Sequence, residues 1–397
     1  MMSNVARIKS LARNVSQSLL SLSFNITGII AGTLIASYFD ILDYKLWGFL
    51  IYPGILSVRG AIGGIYSGRL STALHLGTIE PSFRDNTHES YLLISSIIAL
   101  TFISSMVMSI AGSIFGWLFM EIPLISILEI TTVIISTLAV SLLFISPITF
   151  SLSIISFNRG LDPDVVVYPV VSTVADIIVT AFYLAMVWST RYTIGWILQG
   201  FIVIVFTLGV YFITTPNLKN EKFRRSIKEF ILTILMVSVI VNLTGSVLEN
   251  ITDKIGRTPE IYAVYPALID TVGDVGSIGG SIISTKLALG TLTTSLTDIL
   301  ANTEELLGTW IASLSLFWVY SLISSMIYGI DKLSGLLLRL TILNLSTIPI
   351  MTITTIMITI FTSKKGWDPD NFIIPIESAL SDGVTTLFLF LILMGGI

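Results

Sequence analysis

The sequence predicts an all-α polytopic membrane protein with about eleven transmembrane helices, and two properties of the chain support this fold class. Of the 397 residues, 53% are hydrophobic and only 12% are charged, which is about half of the ~25% charge typical of a soluble domain. The apolar residues also fall into repeated runs that are long enough to cross a membrane. A set of soluble cores is excluded, because too few polar residues remain to cover them.

The apolar windows place eleven helices along the chain, with boundaries good to a few residues. The predicted spans are 18–39, 53–79, 91–119, 124–156, 165–188, 194–215, 228–249, 264–292, 306–329, 335–362 and 372–396. The fourth span is overlong and contains Pro147, which predicts either a kink or an early end of the helix.

Lysine and arginine in the short connections predict the orientation, because cytoplasmic loops carry more of them than outer loops. With the N-terminus inside, the cytoplasmic segments hold Arg7, Lys9, Arg13, Arg84, Arg159, Lys219, Lys222, Arg224, Arg225, Lys228, Lys364 and Lys365. The outer segments then hold Lys45, Arg191, Lys254, Arg257, Lys332 and Arg339. Twelve against six predicts a cytoplasmic N-terminus and an outer C-terminus.

The composition also excludes several classes of chemistry. The chain has no cysteine and only two histidines, so disulfides, thiolate metal sites and Cys catalysis are excluded and a His-rich zinc site is not expected. No nucleic-acid-binding motif is found, and we expect neither a nucleic-acid partner nor an organic cofactor.

An internal repeat organises the chain. Residues 52–79 read YPGILSVRGAIGGIYSGRLSTALHLGTI and residues 265–292 read YPALIDTVGDVGSIGGSIISTKLALGTL, with eleven identities in 28 positions at an offset of 213. A second pair of segments, 161–183 and 367–389, aligns at an offset of 206. These two segments share a DPD motif, a proline, a serine and a later aspartate. Each half of the chain therefore carries the same two landmarks in the same order.

The landmarks divide the chain into a first repeat at 1–189, a connecting transmembrane helix at 190–218 and a second repeat at 219–397. Each repeat is predicted to hold five helices. Five helices plus one is an even number, so the second repeat re-enters the membrane from the same side as the first. The repeats are therefore predicted to be parallel, about an axis along the membrane normal. We expect a monomeric pseudo-dimer, with a natural place for a pore at this pseudo-twofold axis.

At these segments the sequence resembles the MgtE family of magnesium transporters, most closely its two-repeat branch that includes solute carrier family 41. The resemblance rests on YPGILSVRG, GRLSTALHLG, DPDVVVYPVVSTVAD and DPDNFIIPIESALSD, and it covers about residues 15–397. It implies a plasma-membrane channel or carrier for Mg2+, with Mn2+ and Co2+ as alternative ions. The chain departs from the family pattern where GN usually follows the proline, since it has Gly60-Ala61 and Gly273-Asp274.

Asp176 and Asp382 are equivalent residues in the two helices that follow the DPD motifs. Each lies fourteen residues beyond the first Asp of its motif, which is about 20 Å into a hydrocarbon core of about 30 Å. An ionised carboxylate that faces lipid there costs at least about 2.5 kcal/mol. We therefore predict that the pair binds a partly hydrated Mg2+, which uses one or two carboxylates and keeps several waters. The alternative is a local hydrogen bond for each Asp, perhaps in its protonated form.

Two serines and one glutamate lie near these aspartates. Ser172 and Ser378 lie one turn before Asp176 and Asp382 on the same helix face, where their hydroxyls would hold the water shell of the ion. Glu377 lies next to Ser378, and its repeat counterpart is Val171. The alternative for the serines is a bond to a backbone carbonyl, as is common in membrane helices.

Asp270 and Asp274 form an acidic pair that exists only in the second repeat, since their counterparts are Ser57 and Ala61. They are spaced i, i+4 and share one helix face, which suits the transported ion or a coupling Na+ or H+. The alternative is an ion pair with Arg59 or Lys286.

The four DPD acids lie at the cytoplasmic entrance of the last helix of each repeat, where they either cap a helix N-terminus or concentrate cations. They are Asp162, Asp164, Asp368 and Asp370.

An intramembrane aspartyl protease is the alternative function, because paired membrane aspartates also occur in that class. Such enzymes need YD and GxGD motifs, whereas the aspartates here lie in VAD, LSD and VGDVG. The sequence therefore predicts a transporter and no enzyme activity. Its partners are the lipid bilayer, the divalent cation and, for a carrier, Na+ or H+. A channel and a coupled carrier both stay open at this point.

Overall fold

The computed structural model describes residues 2–45, 47–119, 121–123, 125–159, 163–256, 258–288, 290–302, 304–365 and 370–395. Every regular element among these residues is helical. The α-helices are α1 (Met2–Leu22), α2 (Gly28–Ser37), α3 (Phe39–Asp43), α4 (Gly48–His75), α5 (His88–Phe119), α6 (Ser126–Asn158), α7 (Pro163–Ser189), α8 (Thr193–Asn217), α9 (Glu221–Gly256), α10 (Pro259–Ala288), α11 (Leu296–Asn302), α12 (Glu304–Tyr328), α13 (Leu333–Lys364) and α14 (Asp370–Met394). Short 3₁₀ segments, Ser23–Thr27 and Ile330–Lys332, precede α2 and α13.

Nine helical stretches within the described ranges are long and apolar enough to cross a membrane. They are Leu11–Ser37, Gly48–His75, His88–Phe119, Ser126–Asn158, Val170–Ser189, Thr193–Asn217, Glu304–Tyr328, Ile330–Lys364 and Ile376–Met394. The other two predicted spans, 228–249 and 264–292, fall on α9 and α10. The prediction of a polytopic helical membrane protein is confirmed. The early end expected at Pro147 was wrong, because α6 runs through that proline to Asn158.

The chain packs into two compact units. We call residues 37–252 the repeat-1 unit, and residues 1–36 together with 253–397 the repeat-2 unit. The α2 helix of the first repeat thus belongs to the repeat-2 unit, and nearly all of α9 belongs to the repeat-1 unit. The compact units therefore follow other limits than the sequence repeats 1–189 and 219–397, which stay a prediction.

Two glycines allow these exchanged helices to approach their neighbours closely. In the repeat-2 unit, a Cβ atom on Gly32 would collide with the backbone carbonyl of Ala263 in α10. In the repeat-1 unit, a Cβ atom on Gly245 would collide with the backbone carbonyl of Leu50 in α4. Both members of the second contact lie 213 residues after or before their counterparts in the first, which is the repeat offset. The same close helix contact therefore occurs in both units, as is typical of small residues in membrane proteins.

Inside each unit, the helix with the YP motif packs against the last helix of the repeat, α4 against α7 and α10 against α14. The same buried hydrogen bond joins both pairs. The Tyr52 hydroxyl lies 3.0 Å from Oγ1 of Thr180, and the Tyr265 hydroxyl lies 2.6 Å from Oγ1 of Thr386. The tyrosines are 213 residues apart and the threonines 206, which are the two offsets of the repeat. The two helix pairs therefore share one register.

Candidate functional site

The predicted aspartates Asp176 and Asp382 lie at the centres of their helices. Asp176 is thirteen residues from either end of α7, and Asp382 is twelve residues from either end of α14. Their exposed fractions are 1% and 5%. A carboxylate buried at the centre of an apolar helix is expensive unless another group balances its charge, so its neighbours decide its role.

Asp176 is paired with the guanidinium of Arg59 in α4. Nη2 of Arg59 binds Oδ1 of Asp176, and Nη1 lies 3.5 Å from Oγ of Ser172. The two charged side chains are 8% and 1% exposed. Sequence reasoning considered Arg59 only as a partner of Asp270 or Asp274, and the structure places it on Asp176 instead.

The helix period could have revealed this pair. Arg59 lies seven residues after Tyr52, which is two turns of α4, and Asp176 lies four residues before Thr180, which is one turn of α7. Residues at these spacings share a helix face. The face that carries the Tyr52–Thr180 hydrogen bond therefore also carries the ion pair.

The aligned position in the repeat-2 unit has a different character. Val272 stands 213 residues after Arg59. The sequences of α10 and α14 contain Asp270, Asp274, Glu377 and Asp382 along their lengths, and Lys286 is their one basic residue. Nζ of Lys286 lies 2.9 Å from both carboxylate oxygens of Glu305. The alternative that Lys286 pairs with Asp270 or Asp274 is therefore corrected in favour of Glu305.

Asp274 contacts the 3₁₀ segment that precedes α2. Nδ2 of Asn25 donates a hydrogen bond of 2.8 Å to Oδ2 of Asp274 and lies 3.4 Å from Oγ1 of Thr271. The Thr271 hydroxyl in turn lies 2.7 Å from the hydroxyl of Tyr320 in α12. Asp270 lies one turn before Asp274, and both are partly exposed. Asn25 escaped the sequence prediction, because it comes from the first repeat while its partner belongs to the second.

Glu377 is fully buried among α10, α13 and α14. The Thr355 hydroxyl donates a hydrogen bond of 2.7 Å to Oε1 of Glu377. Oε2 has no hydrogen-bond partner among the described residues, and it points at Gly276, where the absence of a side chain leaves room for it. Glu377 is five residues from Asp382, about 140° around the helix, so the two acids face different neighbours.

The two predicted serines are half-buried beside their aspartates. Ser172 lies next to the Arg59 guanidinium, and the backbone carbonyl of Ser378 accepts a hydrogen bond of 2.8 Å from Oγ of Ser381. Of the DPD acids, Asp162 and Asp368 lie outside the described residues, as do the side chains of Asp164 and Asp370.

No three Asp, Glu or His side chains of the described ranges gather closely enough to hold a metal ion by themselves. This arrangement suits a hydrated Mg2+, which usually binds one or two carboxylates and keeps several waters. The repeat-2 unit offers such separate carboxylates together with hydroxyls. The repeat-1 unit offers Asp176, whose charge Arg59 balances.

Comparison with protein families agrees with the two landmarks of the sequence. The family model MgtE, described as divalent cation transporter, matches residues 52–186 and 265–392. The first match runs from the YP motif of α4 into α7, and the second runs from the YP motif of α10 into α14. No solved structure matches the chain.

Proposed function

The chain belongs to the MgtE family of divalent cation transporters, and on this premise we propose that it carries Mg2+ across the plasma membrane. MgtE is a family of transporters rather than of enzymes, and the nine candidate spans of the described ranges are compatible with an integral membrane protein. In the proposed orientation the N-terminus is cytoplasmic and the C-terminus is outside. Mn2+ and Co2+ are the alternative ions.

The observation that carries this proposal is the charge of the repeat-2 unit. Along α10 and α14 four acids occupy the central part of the helices, and the one basic residue, Lys286, is bound to Glu305. Carboxylates in the membrane are costly without a cation. A divalent ion that enters beside these helices would lower that cost, so the unit favours cations over anions and neutral solutes.

We assign the ion contacts to the carboxylates of the repeat-2 unit. Asp382 lies at the centre of α14, and Asp270 and Asp274 form a second acidic face on α10. Ser378 is proposed to hold a water of the ion, and Glu377 adds negative charge behind the glycine face of α10. Asp176 and Ser172 complete the predicted set, with the charge of Asp176 already balanced by Arg59. The pathway at the pseudo-twofold axis stays a prediction of the repeat.

Mg2+ flux into liposomes that contain the purified protein tests the proposal. Asp382→Asn and Asp274→Asn are each expected to lower the flux at limiting Mg2+ by about tenfold or more, since one lost contact of 1.4 kcal/mol gives a factor of ten. The matched control is Glu305→Gln, which removes one negative charge of the same unit at the end of the helices. Wild-type rates in both Asn variants would refute the assigned contacts, and no Mg2+ flux with the wild-type chain would refute the function.

The same liposomes separate a channel from a coupled carrier. A channel moves Mg2+ at the same rate whether or not a Na+ or proton gradient is imposed at fixed membrane potential. A coupled carrier gains or loses flux when that gradient is reversed. The acidic pair of Asp270 and Asp274, which lacks a counterpart in the first repeat, favours the coupled carrier.

A further inference from the structure

Arg59 is a buried cation in a protein that handles cations. It lies in the middle of α4 with its guanidinium on Asp176, and its exposed fraction is only 7%. A guanidinium is always protonated and has no lone pair to offer a metal. Arg59 therefore cannot coordinate Mg2+, and its charge repels a cation that approaches Asp176.

Asp176 is the acid that balances this guanidinium. A cavity enclosing about 410 Å3 opens beside Arg59 between α4, α5 and α6, and none of its lining residues is acidic. The lining is mainly apolar, with Ile62, Ile97, Leu138 and Ile145 among its members. A buried charge that loses its single partner is strongly destabilised. The guanidinium therefore has a strong reason to stay on Asp176 rather than turn into this cavity.

The repeat provides a second version of the same position. The Tyr52–Thr180 and Tyr265–Thr386 hydrogen bonds show that the two helix pairs share one register. In that register Val272 stands where the first repeat has Arg59, while the aspartate is kept as Asp382. One half of the protein thus carries its own cation at this place, and the other half carries an apolar side chain.

We propose that Arg59 is a tethered cation that closes the ion site of the first repeat, so that Asp176 binds no metal and the transported ion is held by the second repeat alone. This inference rests on the proposed function, and it adds which half binds the ion and which residue decides it. Arg59 acts through Asp176 and is a specificity-determining residue rather than a ligand. Valine at position 59 would then open the closed site.

The first experiment counts Mg2+ ions bound to the full chain in detergent by equilibrium dialysis. Arg59→Val, which installs the residue of the second repeat, is expected to bind one more Mg2+ per chain than the wild type. In wild type Oδ2 of Asp176 has no hydrogen-bond partner among the described residues, so loss of the guanidinium leaves both oxygens to a cation. Arg59→Lys is the matched control, because it keeps a cation and should bind no additional ion.

A thermal shift supplies an independent readout of the same event. Without metal, Arg59→Val is expected to unfold at a lower temperature than wild type, and Mg2+ should raise its unfolding temperature more than that of wild type, because a ligand stabilises the state that binds it. In Arg59→Val/Asp176→Asn both charges are gone, and the extra Mg2+ response should disappear. An equal Mg2+ response in the single and the double variant overturns the proposal.

The reverse exchange keeps the proposal testable if Arg59→Val does not fold. Val272→Arg places a guanidinium beside the helix of Asp382 and is expected to abolish Mg2+ binding and flux, whereas Val272→Met, of similar length without charge, should retain both. Val272→Arg with wild-type flux overturns the tethered cation. A wild-type chain that transports Mg2+ while Arg59→Val binds no additional ion also overturns it and leaves the proposed function standing. A wild-type chain that neither binds nor transports Mg2+ refutes both.

Discussion

Gly276 lies against the carboxylate of Glu377, and Oε2 of the glutamate fills the space that a side chain at position 276 would take. The contact belongs to the repeat-2 unit alone. The counterpart of Gly276 is Gly63, where an added Cβ atom would meet nothing within 4 Å, and the counterpart of Glu377 is Val171. The same glycine of the repeat is therefore under two different constraints.

Gly276→Ala is expected to destabilise the protein by about 1–3 kcal/mol, the usual cost of overpacking a buried site. Glu377 cannot move away easily, because Thr355 holds its other oxygen. Gly63→Ala is the matched control and should be neutral or stabilising by up to about 1 kcal/mol, since alanine favours a helix over glycine. Unfolding in mixed micelles measures both, and equal losses in the two variants would contradict the assigned contact.

Gly32 and Gly245 make equivalent close contacts, one in each unit, so substitution at both should have the same sign. We expect Gly32→Ala and Gly245→Ala each to destabilise the fold by more than about 1 kcal/mol, because the added Cβ meets backbone carbonyl atoms that a side-chain rotation cannot clear. Gly209→Ala in α8 is the control, with open space around the added atom. The contacts are refuted if the two variants unfold at the wild-type midpoint in the same micelles.

The helical spans and the central aspartates could be predicted from the sequence, because both follow from patterns along one chain. Hydropathy places the spans, and the repeat gives Asp176 and Asp382 the same place in α7 and α14. Which side chain meets each aspartate depends instead on the packing of separate helices. Arg59 lies 117 residues before Asp176, and Asn25 lies 249 residues before Asp274.

The exchange of first helices explains why the neighbours of Asp274 were missed. Reasoning within a repeat searches for the partners of Asp274 between 219 and 397, whereas Asn25 belongs to the first repeat and packs in the repeat-2 unit. Packing glycines such as Gly32 and Gly245 are the sequence signal for this exchange. A glycine, however, shows that some backbone approaches closely and does not show which one.

The Tyr265–Thr386 hydrogen bond is expected to contribute modestly to stability. Tyr265→Phe should cost about 0.5–1.5 kcal/mol, the typical net value of one hydrogen bond, because the Thr386 hydroxyl keeps its second bond of 2.6 Å to the backbone carbonyl of Asp382. Tyr52→Phe in the repeat-1 unit should cost a similar amount, as the bond of Tyr52 to Thr180 is equivalent. Equilibrium unfolding of both variants tests this equivalence, and a several-fold difference between them would contradict a common register.

Asn25→Asp should convert the neighbourhood of Asp274 into a stronger divalent cation site. The wild-type amide donates a hydrogen bond to Oδ2 of Asp274, and a carboxylate in its place removes the donor and adds a like charge at the same distance. Repulsion between the two carboxylates should lower the unfolding temperature in the absence of metal, and Mg2+ should restore it by bridging them. Asn25→Ala removes the same donor without adding charge, so its loss of stability should respond to Mg2+ no more than wild type does. Unfolding temperatures at several Mg2+ concentrations decide the matter, and an unchanged Mg2+ response in Asn25→Asp would place the ion elsewhere than beside Asp274.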